Sequence, residues 1–406
     1  MTERSAPHLK RRIGPGLMTA YGVGVMVGAG IYVLIGAVAG LAGVWAPLAF
    51  VLAGLVAAPS AFSYAELSTR IPEAAGEAAY VARAFGTTFL PVLVGLAIVL
   101  AGTISGAAVL RGGVGYLTAL VSVEPAYAII ALGGALTVVA LIGVFESLAV
   151  AALFTVIEVI GLILVSGAGF LAEPVGPALP AAPPEVFAVL AATALAFFAF
   201  IGFEDLVNMA EEARKPSRTM PRAIIASLLI TTVLYALVSF AALRAVPPAD
   251  LAASQRPLAL VWERATGQTG EGWGGAGFLS AIAVLAALNG VLAQLVMAAR
   301  VLFGLGRRAR PFAVFTHAHP RFGTPVLATL TCGAALVAAS LALPVGALAE
   351  IASLVLLAVF AVINAALISL KLQSPAAPFR VPMLVPVLGL IASAGAFALS
   401  LAQRIA

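Results

Sequence analysis

Charge is so scarce along this chain that its absence works as a ruler. Between Arg12 and Glu66 lie 53 consecutive uncharged residues, and a helix needs only about 20 largely apolar residues to cross a hydrocarbon core. That run accommodates two crossings, with Gly43, Trp45 and Pro47 as the turn between them. The apolar runs 84–110, 125–145, 186–203, 223–243, 272–299, 322–349, 351–370 and 381–403 each supply one more. The stretch 147–172 reads as a further span although Glu158 interrupts it. The spacing predicts eleven crossing helices, numbered 1 to 11 in chain order. Only 10% of the residues are charged and 62% are hydrophobic, whereas soluble domains carry about 25% charge, so a water-soluble enzyme is excluded. A transmembrane barrel would alternate apolar and polar residues in strands of about 10, and no such alternation occurs. The lone Cys332 rules out a disulfide scaffold. The class is an all-α polytopic membrane protein.

Lys and Arg favour the cytoplasmic side of membrane helices. With the N-terminus inside, 17 of the 22 basic residues fall on the inner side, against Arg111, Arg244, Arg256, Arg264 and Arg404 outside. The expected topology is a multi-pass protein of the cell membrane, N-terminus cytoplasmic and C-terminus outside. The net charge of +5 then faces anionic lipid, and no nucleic-acid partner is needed to account for it. Lys10-Arg11-Arg12 precede an apolar run longer than the roughly 7–15 residues of a signal peptide core, so helix 1 is expected to remain in the chain.

Two loops are longer than the rest: an inner one at 66–83 and an outer one at 244–276. Each follows the second helix of a block of five, and the two blocks start on opposite sides. That is the arrangement of an inverted-topology repeat. The expected organisation is a cytoplasmic tail at 1–14, a first repeat at 15–172 (helices 1–5), an outer linker at 173–186, and a second repeat at 187–370 (helices 6–10). Residues 371–406 add an inner loop and helix 11.

Helix 1 contains Gly22-Val23-Gly24-Val25-Met26-Val27-Gly28-Ala29-Gly30-Ile31-Tyr32, and its repeat mate, helix 6, contains Phe197-Phe198-Ala199-Phe200-Ile201-Gly202-Phe203-Glu204-Asp205. Small residues let helices approach closely in membranes, which suits Gly22 and Gly24. Gly28-Ala29-Gly30 at mid-span reads as an unwound turn, matched in helix 6 by a break at Gly202. These two segments, YAELSTRIPEAAGEAAYVARAFG after helix 2 and MAARVLFGLGRRARPFAVFTHAHPRFGTP after helix 8 make the chain resemble the amino acid–polyamine–organocation transporter family. The resemblance implies a LeuT-like fold: a 5+5 inverted repeat with helices 1 and 6 broken, plus an eleventh helix.

A break leaves orphan backbone groups inside the membrane. Helix 1 restarts after Gly30, so the N–H groups near Gly30 and Ile31 form the positive end of a half-helix, suited to a carboxylate. The carbonyls of Phe197 to Ile201 end the outer half of helix 6 and suit an ammonium. By resemblance, Gly28, Ala29 and Gly30 hold the α-carboxylate, while Phe198 and Ile201 hold the amine. Relatives often carry Ser where this chain has Ala29, so a hydroxyl contact is lost. Phe198 occupies a position that serves as an aromatic gate in the family; its bland alternative is a core or lipid-facing ring.

Ionisable residues within a span default to functional candidates. Glu158 on helix 5 stands where many relatives have a Lys that substitutes for sodium. Burial favours its protonated form, making it a candidate proton carrier, with cation ligation or a structural hydrogen bond as the alternatives. On helix 8, Asn289 is the nearest polar group for the facing wall, and Gln294 reads equally well as a packing hydrogen-bonder. Glu204, Asn208 and Glu211, at i, i+4 and i+7, would share one face of an α-helix, flanked by Asp205 and Glu212. Glu204 matches an acidic family position tied to proton coupling; the alternative is pairing with Arg214, Lys215 and Arg218.

There is no Walker motif and no catalytic triad. His317 and His319 lack the partners of a metal site, so neither enzyme activity nor a metal or other cofactor is expected. The expected function is secondary active transport of an amino acid by alternating access, coupled to protons in preference to sodium. An amine exchanger, a polyamine or amine permease, or a non-transporting amino acid sensor are the alternatives. Helices 1, 3 and 8 offer no acid at mid-depth, and helix 3 offers small or hydroxyl residues such as Thr103 and Ser105, which favours neutral substrates. Beyond substrate and lipid bilayer, the sequence leaves a monomer or a homo-oligomer open.

Overall fold

The computed structural model describes residues 13–72, 76–143, 148–176, 183–268, 275–319 and 322–405. Among these, nine helices are long and apolar enough to cross a membrane, and two shorter apolar helices, Pro15–Gly28 and Val326–Ala342, accompany them. One of the nine is a 40-residue run, Ile31–Arg70, which contains the second half of helix 1, a tight turn at Gly43–Trp45 and helix 2. No strand forms among the described residues beyond isolated bridges.

Helix 1 consists of Pro15–Ala29 and Ile31–Ala42, and helix 2 of Ala46–Arg70. Helices 3, 4 and 5 span Phe89–Leu117, Pro125–Ile142 and Leu148–Leu171. Helix 6 is Val186–Phe197, followed by 3₁₀ turns at Phe198–Phe200 and Glu204–Glu212. Helices 7, 8, 9, 10 and 11 span Pro216–Ala245, Ala276–Arg308, Val326–Ala342, Val345–Gln373 and Leu384–Ile405. Local chemistry sets several ends. Helix 4 opens on Glu124, whose carboxylate accepts from Tyr127 N at 3.2 Å, with Pro125 next, and closes on a left-handed Gly143; these are N-cap and C-cap signals.

Charge misplaced several boundaries: Arg111, Arg222 and Arg300 lie inside helices 3, 7 and 8 instead of at their ends. Glu350 was expected to separate helices 9 and 10, but the chain turns at Leu343–Pro344 and Glu350 lies inside helix 10. Proline starts a helix more firmly than one acid at a membrane edge ends one. The two long loops are also partly helical: 66–83 leads into the helix Gly76–Phe85, and 244–276 contains Pro248–Ala253 and Pro257–Thr266.

Helices 1 and 6 occupy the centre. The first half of helix 1 packs on helices 5, 7 and 8, while helices 4, 9 and 11 lie at the periphery. In the apolar windows of helices 6 and 8, 67% of the residues are buried, against 17% for helix 11. Leu153, Ile163, Leu229 and Ile391 project outward, each more than half exposed, as lipid permits and water would not. At the N-terminal end of the bundle, Ile13 N donates to Glu212 O (3.1 Å) and Arg214 N to Ile13 O (2.8 Å). The start of helix 1 is thereby tied to the end of helix 6.

Candidate substrate site

The break in helix 1 is confined to one residue. Gly30 adopts φ −123°, ψ −74°, and its N–H donates to Val27 O (3.3 Å) instead of to Met26 O. Gly30 O accepts from both Val33 N (3.2 Å) and Leu34 N (3.0 Å), which leaves Ile31 and Tyr32 at the open, positive end of the second half-helix. The expected three-residue unwinding is thus narrower, because the helix continues through Gly28 and Ala29. Glycine is needed for approach as well: a Cβ on Gly30 would overlap Ala199 of helix 6, and one on Gly28 would come within 2.8 Å of Ala286 O of helix 8. Gly22 and Gly24 face side chains of helices 6, 7 and 5, as close packing requires.

Helix 6 breaks in three steps. Ile201 N donates to Phe198 O at 3.1 Å, Ile201 is extended (φ −60°, ψ 131°), and Gly202 takes φ +125°. Only glycine accepts that conformation readily, and a Cβ on Gly202 would also meet Val25 at 2.6 Å. The breaks therefore pack on one another, Gly30 against Ala199 and Gly202 against Val25. Phe198 is fully buried, so in this conformation its ring is closed within the bundle.

Tyr235 of helix 7, which the sequence reading did not single out, joins the two breaks. Its hydroxyl lies 2.8 Å from Met26 O and 3.0 Å from Ala199 O. It can donate to either of these carbonyls, and Met26 O is the one that the shift at Gly30 deprived of its helical partner. A single buried Tyr has no spacing relationship to either break, so nothing in the sequence marks it.

Glu158 and Asn289 are brought together: Asn289 Nδ2 donates to Glu158 Oε1 at 3.0 Å. Glu158 is fully buried, and its Oε2 has no hydrogen-bond partner. Tyr32, two residues past the helix 1 break, donates through its hydroxyl to Glu158 O (2.8 Å). Tyr116 of helix 3 donates to Tyr32 O (2.8 Å) and accepts from Leu258 N (3.3 Å) in the short helix Pro257–Thr266. This chain of bonds links helices 5 and 8 to the loop at the far end.

The acidic stripe on helix 6 does not form as expected. Glu204–Glu212 is 3₁₀, with about three residues per turn, so Glu204 and Asn208 lie on different faces. The side chain of Glu211 lies outside the described residues. Glu204 Oε2 accepts from Gly202 N (2.9 Å), and Asp205 Oδ2 accepts from Gln294 Nε2 (2.9 Å). Both acids are buried, and neither makes an ion pair among the described residues. Neither Glu204 nor Asp205 pairs with Arg214, Lys215 or Arg218, and those three residues are exposed. Thr103 donates back to Val99 O (2.7 Å), whereas Ser105 is buried without a hydrogen-bond partner.

A third carboxyl comes from the short helix Gly76–Phe85. Glu77 is 3% exposed; burial pushes it up from the usual 4.5 to about 7, with the Tyr64 hydroxyl acting in the opposite sense. Its neighbour Gly76 lies against Asn208, whose amide oxygen would be 2.7 Å from a Cβ there.

Residues 18–403 match the family model described as amino acid permease. The chain is 28% identical over 365 residues to a branched-chain amino acid permease of Bacillus subtilis, covering 84% of this chain and 77% of that one. It is 31% identical to the methylthioribose transporter of the same organism, covering 85% and 78%. It is also 30% identical to the vacuolar cationic amino acid transporter 4 of Arabidopsis thaliana, covering 81% and 58%. With its helical, membrane-spanning fold and its two central breaks, the chain belongs to the amino acid permease family of the APC superfamily.

Proposed function

We propose that this protein is a secondary active transporter that carries an amino acid or a related amine by alternating access, driven by protons. The observation that carries the reading is the reciprocal pair of breaks. The positive end of one half-helix at Ile31 lies beside the carbonyl end of another at Phe198–Ile201, Gly30 packing on Ala199, and a zwitterion would complement both without any charged side chain. Gly28, Ala29, Gly30 and Ile31 form the carboxylate seat in this reading. Phe198 and Ile201 form the ammonium seat, Phe198 the gate, and Ser105 a hydroxyl available to the substrate. Glu158, supported by Asn289, is the proton carrier, and Glu204 is the second candidate. Sodium at Glu158–Asn289 is the competing coupling ion.

The proposal includes two halves, 15–172 and 187–370, which rock about the breaks, with the N-terminus cytoplasmic and the C-terminus outside the cell membrane. It is tested by radiolabelled uptake into liposomes under imposed proton or sodium gradients. Accumulation driven by the proton gradient is expected. Accumulation under sodium alone reassigns the coupling ion, exchange without accumulation makes the protein an exchanger, and binding without flux makes it a sensor.

A further inference from the structure

Between helices 3, 6, 8 and 10, Glu204, Asp205 and Gln294 form the polar wall of a cleft whose other side is Ile98, Gly102, Ile201, Met297 and Leu356, and in this conformation the cleft is closed, without room for a water molecule. It shares Ile201 with the helix 6 break, and Glu204 is bonded to Gly202 within that break. Gln294 spends its amide N–H on Asp205, and its Oε1, in a side chain only 1% exposed, has no partner. With both carboxyls ionised, the wall offers acceptors only. Two adjacent buried carboxyls cannot both ionise without a compensating cation, and no lysine or arginine among the described residues pairs with either.

From this arrangement we infer that the cleft, once open, is a subsite for a cationic group on the substrate, an alkylammonium or guanidinium, held by Glu204, Asp205 and the Gln294 amide oxygen. The inference rests on the transporter reading and changes its substrate preference. Helices 1, 3 and 8 lack an acid at this depth, and helix 6 supplies two. An N–H-bearing cation at the free Gln294 oxygen would complete the hydrogen bonding of the wall, with charge-assisted bonds to the carboxylates. The cleft must open to admit such a group, and the wall that would yield is Leu356 and the flexible thioether of Met297.

The test compares binding of lysine with its uncharged analogue norleucine, and of arginine with citrulline, to the purified full-length protein. The expected result is a preference of about tenfold or more for the cation of each pair, the scale of one well-formed charge-assisted contact. Asp205→Asn should bring both ratios close to one. Equal or tighter binding of norleucine and citrulline overturns the subsite while leaving the transporter reading standing, as does a preference that survives Asp205→Asn. If no amino acid or amine binds, the transporter reading falls and takes the subsite with it. Should Asp205→Asn fail to purify as a monodisperse protein, Gln294→Leu is measured in its place, and the wild-type ratios already decide against the proposal if they are near one.

Discussion

Glu66 and Glu158 are the same residue type, both fully buried, and their surroundings differ completely. Glu66 Oε1 accepts from Arg70 Nη2 (2.6 Å) and Nε (2.9 Å), and its Oε2 from Lys371 Nζ (2.7 Å) and Val381 N (2.8 Å). Lys371 in turn donates to Val381 O at 2.6 Å. Helices 2 and 10 and the segment leading into helix 11 are thus stapled through one carboxylate. Glu158 has a single donor, the Asn289 amide, and an oxygen with no partner. A buried charge saturated by cations is locked. A buried carboxyl with an open oxygen can exchange a proton or a ligand, which is why the proposed mechanism calls on Glu158 and not on Glu66.

The comparison is broken most directly at Glu66. Glu66→Ala strands the Lys371 ammonium in the interior, and loss of about 3–5 kcal/mol is expected, read as a large fall in thermal midpoint. A small fall would mean that the staple carries little of the stability. Glu77 comes next. A carboxyl held near 7 in the folded protein contributes stability that is full below 4.5 and lost as pH rises toward 7, amounting to about 3 kcal/mol. Glu77→Gln should keep that stability at pH 8 and flatten the midpoint between pH 5 and 7; an unchanged pH profile refutes it.

Tyr235→Phe removes the one hydroxyl serving Met26 O and Ala199 O, at an expected cost of about 1–3 kcal/mol. Substrate affinity should weaken too, because both breaks lose a shared anchor. Unaltered affinity would show that packing alone holds the breaks. The smallest effect on stability, within about 1 kcal/mol, is expected for Glu158→Gln, since Asn289 can still donate to the amide oxygen. Its effect on transport should nevertheless be complete: substrate still binds, but proton-driven accumulation disappears. A mutant that concentrates substrate as well as wild type would make Glu158 structural and leave Glu204 as the carrier.

Much of this molecule is legible in its sequence. Runs without charge locate the helices because a desolvated charge is costly in the middle of the bilayer. Gly30 and Gly202 announce breaks because each sits in an apolar span with no side chain to defend the helix. The failures were equally physical. Glu350 misled because a charge near a membrane edge can sit inside a helix, and the spacing of Glu204 and Asn208 misled because it presupposed 3.6 residues per turn where the chain winds at about three.

The sequence alone determined the class of the fold, the positions of the two breaks and the presence of an acid in helix 5, all of which follow from local composition and hydropathy. Only the tertiary structure decided which polar groups meet. Glu158 and Asn289 are 131 residues apart, Asp205 and Gln294 are 89, and Tyr235 is 209 from Met26. In a membrane interior almost every position is apolar, so a polar residue shows in the sequence but its partner does not. Hydropathy places a helix at a depth and leaves its rotation and neighbours to packing, and those decide whether a buried carboxyl is saturated, like Glu66, or left open, like Glu158.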